Sequence, residues 1–95
     1  MKWITRSHVH VDRVACPWLI ARFIDSDAEF LFVPKRKVLE IAEQEGAISF
    51  DTPGAMFHHR EDLCTFDVLI REYGLTDKAL LRLARIVNAA DTNRF

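Results

Sequence analysis

The sequence predicts a small α/β domain: a three-stranded, at least partly parallel sheet in the order β-α-β-α-β-α-α, with helices packed on it. Three observations support this. Short segments of strand length alternate with segments of helical periodicity. The few breakers, three Gly and three Pro, stand where one pattern gives way to the next. The 95 residues, 49% hydrophobic and 28% charged, suffice for a single core over residues 1–95. Strands alternating with helices connect most simply through right-handed crossovers, which gather their polar loops at one end of the sheet.

Trp3 to Arg6, extending toward Val11, alternates apolar and polar residues and reads as a half-buried first strand, with His8 and His10 on one face. Residues 12 to 24 follow as a helix. Its apolar face is expected at Val14, Trp18, Ala21 and Phe23 or Ile24, and its start is ambiguous because Pro17 is tolerated only near a first turn. Glu29 to Val33 is aromatic and branched, without helical periodicity, and is expected as a strand buried on both faces. Lys37 to Glu45 reads as an amphipathic helix carrying Val38, Leu39 and Ala42 and ending at Gly46. Ile48 to Phe50 is a short third strand, followed by a turn at Asp51-Thr52-Pro53-Gly54. A helix from about Thr65 places Phe66, Leu69, Ile70 and Tyr73 on one side and stops at Gly74. The last helix starts near Thr76 or Asp77, with Leu80, Leu83, Ala84 and Val87 at i, i+3, i+4 and i+7. Trp18 and the seven phenylalanines stand among aliphatics at core periodicities, so they are expected in the core and not on a base-stacking platform.

Composition excludes several classes of function. Thirteen Lys and Arg against fourteen Asp and Glu give a formal charge of -1, which offers no footprint for a phosphate backbone, so direct nucleic-acid binding is not expected. No apolar run approaches the roughly 20 residues that cross a bilayer, and the first residues do not form a secretory signal. Two widely spaced cysteines, Cys16 and Cys64, fit free thiols in a reducing cytoplasm.

The histidines are the most informative polar residues. His8 and His10 would point the same way from a strand, about 6.6 to 6.8 Å apart along it, and His58 and His59 are adjacent in a loop. With Cys64 and Asp91, the set His10, His58 and His59 offers ligands for a divalent metal such as zinc, iron or manganese. Arg6 and Arg13 flank the first pair, and Asp12 lies where a helix begins, an arrangement suited either to an oxyanion pocket or to a simple cap. Cys16 is a candidate thiolate beside Arg13, or a buried space-filler. Lys35-Arg36-Lys37 reads as a solvated stretch before a helix.

His10-Val11-Asp12-Arg13-Val14-Ala15-Cys16-Pro17-Trp18-Leu19-Ile20, followed by Arg22-Phe23-Ile24-Asp25, resembles the signature of the chromate-resistance regulator (ChrB) C-terminal domain family. Glu29 to Pro34, Phe50-Asp51 with Pro53-Gly54, His58-His59, Cys64 with Phe66-Asp67, Tyr73-Gly74-Leu75, and Ile86-Val87 with Ala90-Asp91-Thr92 continue the likeness along nearly the whole chain. The resemblance implies the sensing or accessory part of a regulator of chromate efflux, with the DNA-binding region elsewhere. It also implies a domain that runs on past Ala90-Asp91-Thr92, so truncation at the C-terminus is expected.

The leading expectation is a sensing domain that holds a small oxyanion such as chromate, or a metal ion, through Arg6, His10, Asp12, Arg13 and Cys16, with His58 as a further donor. Thiol oxidation at Cys16 or Cys64 would separate chromate from sulfate. A metal-dependent enzyme using Asp12 or Asp67 as general base is the second reading. An interaction domain with a homodimer interface is the third.

Overall fold

A computed structural model describes residues 1–7, 11–58, 60 and 63–92, the side chains of residues 11–13 and 91–92 excepted. Strand β1 is Lys2–Arg6, β2 is Glu29–Val33 and β3 is Ile48–Ser49. All are parallel, in the order β2-β1-β3, with Lys2 opposite Glu29, Arg6 opposite Val33 and Trp3 opposite Ile48. The helices are α1 (Val11–Leu19, continued by a π-helical segment Ile20–Ile24), α2 (Val38–Glu45, preceded by a 3-10 turn Lys35–Lys37), α3 (Thr65–Glu72) and α4 (Lys78–Thr92). This is the expected α/β order, and the sheet is parallel throughout.

Reaching β2 and β3 from a central β1 means crossing the sheet in opposite directions, so right-handed crossovers place α1 and α2 on opposite faces. The packing agrees: α2 lies on β1 and β3, whereas α1 packs with α3 and α4. The main core joins Trp3 and Phe50 of the sheet to Cys16, Leu19, Phe66, Leu69 and Leu80. At about 25 cal/mol per Å² of apolar surface removed from water, this aromatic-rich cluster is the principal stabilising element.

The two longer strands exchange the roles expected from their patterns. Strand β1 alternates in sequence, yet Trp3, Ile4 and Thr5 are all buried, because the central strand has a neighbour on each side and helices over each face. Thr5 meets this burial by donating its hydroxyl to the Phe50 carbonyl at 2.6 Å. Strand β2 reads as doubly buried but is an edge strand, with Phe32 51% exposed. Topology, not local hydrophobicity, sets burial here.

Helix α1 also differs from expectation. Pro17 stands in its second turn, and the helix runs on as a π segment in which the Asp25 N–H donates to the Ile20 carbonyl. Proline removes one backbone donor and crowds the carbonyl four residues back, a common setting for such irregularity. The buried face is Cys16, Leu19 and Ile20, while Val14, Ala21, Phe23 and Trp18, the last at 46%, face outward. Trp18 and Phe23 pack edge to face on this outer surface, their centroids 5.7 Å apart.

The remaining elements follow their local chemistry. Helix α2 ends at Gly46, whose left-handed backbone donates its N–H to the Ala42 carbonyl. Leu39 is 48% exposed, and Val38 occupies the buried position instead. In α3, Phe66, Val68, Leu69 and Ile70 are buried and Tyr73 is largely exposed. Asp77 caps α4 by accepting the Leu80 N–H at 2.9 Å, and Leu80, Ala84 and Val87 form its buried stripe. Among the described residues, no helix is long and apolar enough to cross a membrane.

Candidate functional site

In an open parallel sheet, ligands bind outside the carboxyl ends of the strands, where the loops diverge toward opposite faces. Here β1 ends at Arg6 and β2 at Val33, both paired in register, and β3 gives way to Phe50 and the Asp51–Gly54 turn. Two cavities open at this end. The smaller, about 290 Å³, is lined by Arg6, Ser7, Pro34 and Lys35. The larger, about 500 Å³, is lined by Pro34, Lys35, Arg36, Leu39, Thr52 and Pro53. Pro34 and Lys35 form part of both.

The surrounding backbone is held firmly. Ser7 donates its N–H to the Val33 carbonyl at 2.9 Å, tying the ends of β1 and β2 together. Pro34 accepts from the Lys37 N–H, which starts the 3-10 turn and brings Lys35 and Arg36 over the sheet end. On the third side, Pro53 and Gly54 occupy the centre of a turn closed by the Ala55 N–H on the Thr52 carbonyl at 3.0 Å. The positive φ of 81° at Gly54 suits the third position of such a turn. Asp51, only 2% exposed, accepts from the Thr65 hydroxyl and adopts φ 52°, an uncommon conformation that anchors the turn on α3.

Arg6 is half-buried, and its Nε is shut off from solvent with no acceptor among the described residues. Buried donors are normally paired, so an unmet N–H on a cation at the edge of a cavity requires an explanation. Lys35 and Arg36 add positive charge to the same end.

The other expected site residues are dispersed. Cys16 is completely buried in the main core, and Cys64 is completely buried at the residue before α3, where its N–H donates to the Asn88 side chain at 2.7 Å. His58 is exposed in the loop before α3. His10 and His59 lie outside the described residues, as do the side chains of Asp12, Arg13 and Asp91, although the backbones of these three fall within α1 and α4. Among the described residues, no three His, Cys, Asp or Glu side chains are grouped as metal ligands. Of the expected site residues with described side chains, Arg6 alone lines either of these two cavities.

Sequence reasoning missed Lys35, Arg36, Leu39 and Thr52. The usable signal was topological: Arg6 and the Pro34-Lys35 pair each stand at the carboxyl end of a strand, and parallel pairing brings those ends together.

A family model for the ChrB C-terminal domain matches residues 3–95. Protein ChrB of Cupriavidus metallidurans (strain CH34) is 45% identical over 93 residues, which cover 95% of this chain and 27% of the relative. No solved structure matches the chain. The likeness thus runs through both strands that build the small cavity and all four helices, and the chain belongs to the ChrB C-terminal domain family.

Proposed function

We propose that this chain is a ligand-sensing domain acting in chromate resistance, which holds an oxyanion such as chromate at the carboxyl end of its sheet between Arg6 and Lys35. The observation that carries the reading is the Arg6 Nε, buried beside a cavity and without an acceptor among the described residues. An oxyanion offers acceptor oxygens, and a guanidinium can meet two of them at once through charge-assisted bonds. Lys35 supplies a second positive charge from the start of the 3-10 turn. The reading takes His10 and Arg13, which follow β1 in the chain, as further candidate donors. The chain spans about a quarter of the ChrB relative it matches, so transmission of the signal to a DNA-binding region is part of the proposal.

Discrimination between chromate and sulfate by thiol oxidation would require transient opening of the core, since Cys16 and Cys64 are both completely buried. Calorimetric titration with sodium sulfate and sodium chromate tests the anion site. Saturable binding is expected, weakened at least about tenfold in Arg6→Gln, a change of about 1.4 kcal/mol, with the melting temperature of the variant retained. Equal affinity of Arg6→Gln and the parent chain for both anions would overturn the reading.

A further inference from the structure

We infer that the site accepts an anion attached to an apolar body, the charged group sitting at Arg6 and Lys35 and the hydrocarbon or ring extending over Leu39 into the larger cavity. This inference rests on the proposed anion site and adds the class of ligand. It starts from a mismatch of size and chemistry. A bare four-oxygen anion needs only the smaller space, yet the adjoining cavity of about 500 Å³ lies within the range of small-molecule sites, roughly 300–1,000 Å³. Its walls divide by character. Pro34, Pro53 and Leu39 are apolar, whereas Lys35 and Arg36 carry charge and Thr52 is polar. A few polar groups on apolar walls are the usual makeup of an organic-ligand pocket.

Leu39 is the informative residue. It is 48% exposed on a helix whose buried position is taken by Val38, so core packing does not require it there. Gly54 faces it closely: a Cβ built at Gly54 would lie 3.0 Å from Leu39 Cδ1, at a φ that other residues rarely adopt. The turn after β3 thus leaves room for Leu39 at the cavity wall. Pro34 and Lys35 belong to both cavities, which makes the two spaces contiguous along one wall. A ligand placed there meets positive charge at one end and apolar surface at the other.

The test compares inorganic phosphate with phenyl phosphate in mildly alkaline buffer, where both are dianions and differ chiefly in the ring. Calorimetric titration of the parent chain is expected to show phenyl phosphate binding at least about tenfold more tightly, the scale expected for burying part of a ring. Leu39→Gln should remove that preference while leaving phosphate affinity within about twofold, and Arg6→Gln should weaken both ligands. Equal affinities in the parent chain, or a preference that survives Leu39→Gln, would overturn the apolar subsite and leave the anion site standing. Failure of both probes to bind would overturn the two together.

Discussion

The two ends of the parallel sheet differ in how their charged groups are met. At the amino end, several charged groups are paired. Asp25 accepts from the Trp3 indole at 2.9 Å and lies 3.2 Å from the terminal ammonium of Met1, and Lys2 meets Glu45 at 2.6 Å. Trp3, Phe57 and Tyr73 form an aromatic cluster beside the Trp3–Asp25 bond. At the carboxyl end, Arg6 keeps a buried N–H without an acceptor among the described residues, Asp51 holds an uncommon backbone conformation, and two cavities remain open. The contrast teaches that the described ion pairs gather at one end and an unmet donor stands at the other, as expected where a fold carries a ligand site.

The largest effect should come from the amino end. Trp3→Ala removes a side chain that is 1% exposed and packs on Phe50, and chemical denaturation should show a loss of about 3–5 kcal/mol. A loss below about 1 kcal/mol would contradict the central placement of β1. Thr5→Val comes next, because it takes the hydroxyl donor from the Phe50 carbonyl in a buried setting, with an expected cost of about 1–2 kcal/mol by the same measurement. Trp18→Ala should change stability by less than about 1 kcal/mol, since it gives up only an exposed edge-to-face contact with Phe23. A much greater loss would show that the outer face of α1 is covered in solution.

The smallest effect concerns pH. The Trp3 indole, and after it the Met1 ammonium and the Asp27 N–H, hold the Asp25 carboxyl below its ordinary range, against an opposing push from burial. A group whose folded pKa is depressed adds stability above its unfolded pKa and loses it as pH falls through the folded value. The parent chain should therefore lose melting temperature more steeply than Asp25→Asn as the solution is acidified below the usual carboxylate range. Parallel acid profiles for the two proteins would remove Asp25 from the account of the amino end.

Much of the fold was legible because its signals are local. Gly46, Gly74 and the Pro53-Gly54 pair mark element ends through backbone conformations that glycine and proline favour, and the Leu80, Ala84, Val87 stripe repeats with helical period. Burial of the strands was not legible, since which strand is central depends on crossovers that no single segment encodes. The outward turn of Trp18 was hidden for a related reason: Cys16, Leu19 and Ile20 offer an equally good helical stripe, and only docking against α3 and α4 chooses between them. For the site, Arg6 could be named from its neighbours in sequence. Lys35, Arg36 and Leu39 could not, because they come to the cavity through parallel pairing of β1 with β2 and the crossover into α2.

The position of β1 also bears on how the chain folds. It is first in chain order yet central in the sheet, so its partners, Glu29 to Val33 and then Ile48 and Ser49, arrive only after long loops have closed. Loop-closure entropy must be overcome before those pairings stabilise anything. Helix α4 and the α3–α4 pair consist of near-neighbour contacts and can form early, leaving the assembly of β1 with both partners as the slow, cooperative step. The cavity between Arg6 and Lys35 therefore exists only once that step is complete, and an anion bound there would act as a latch on the last contacts to form.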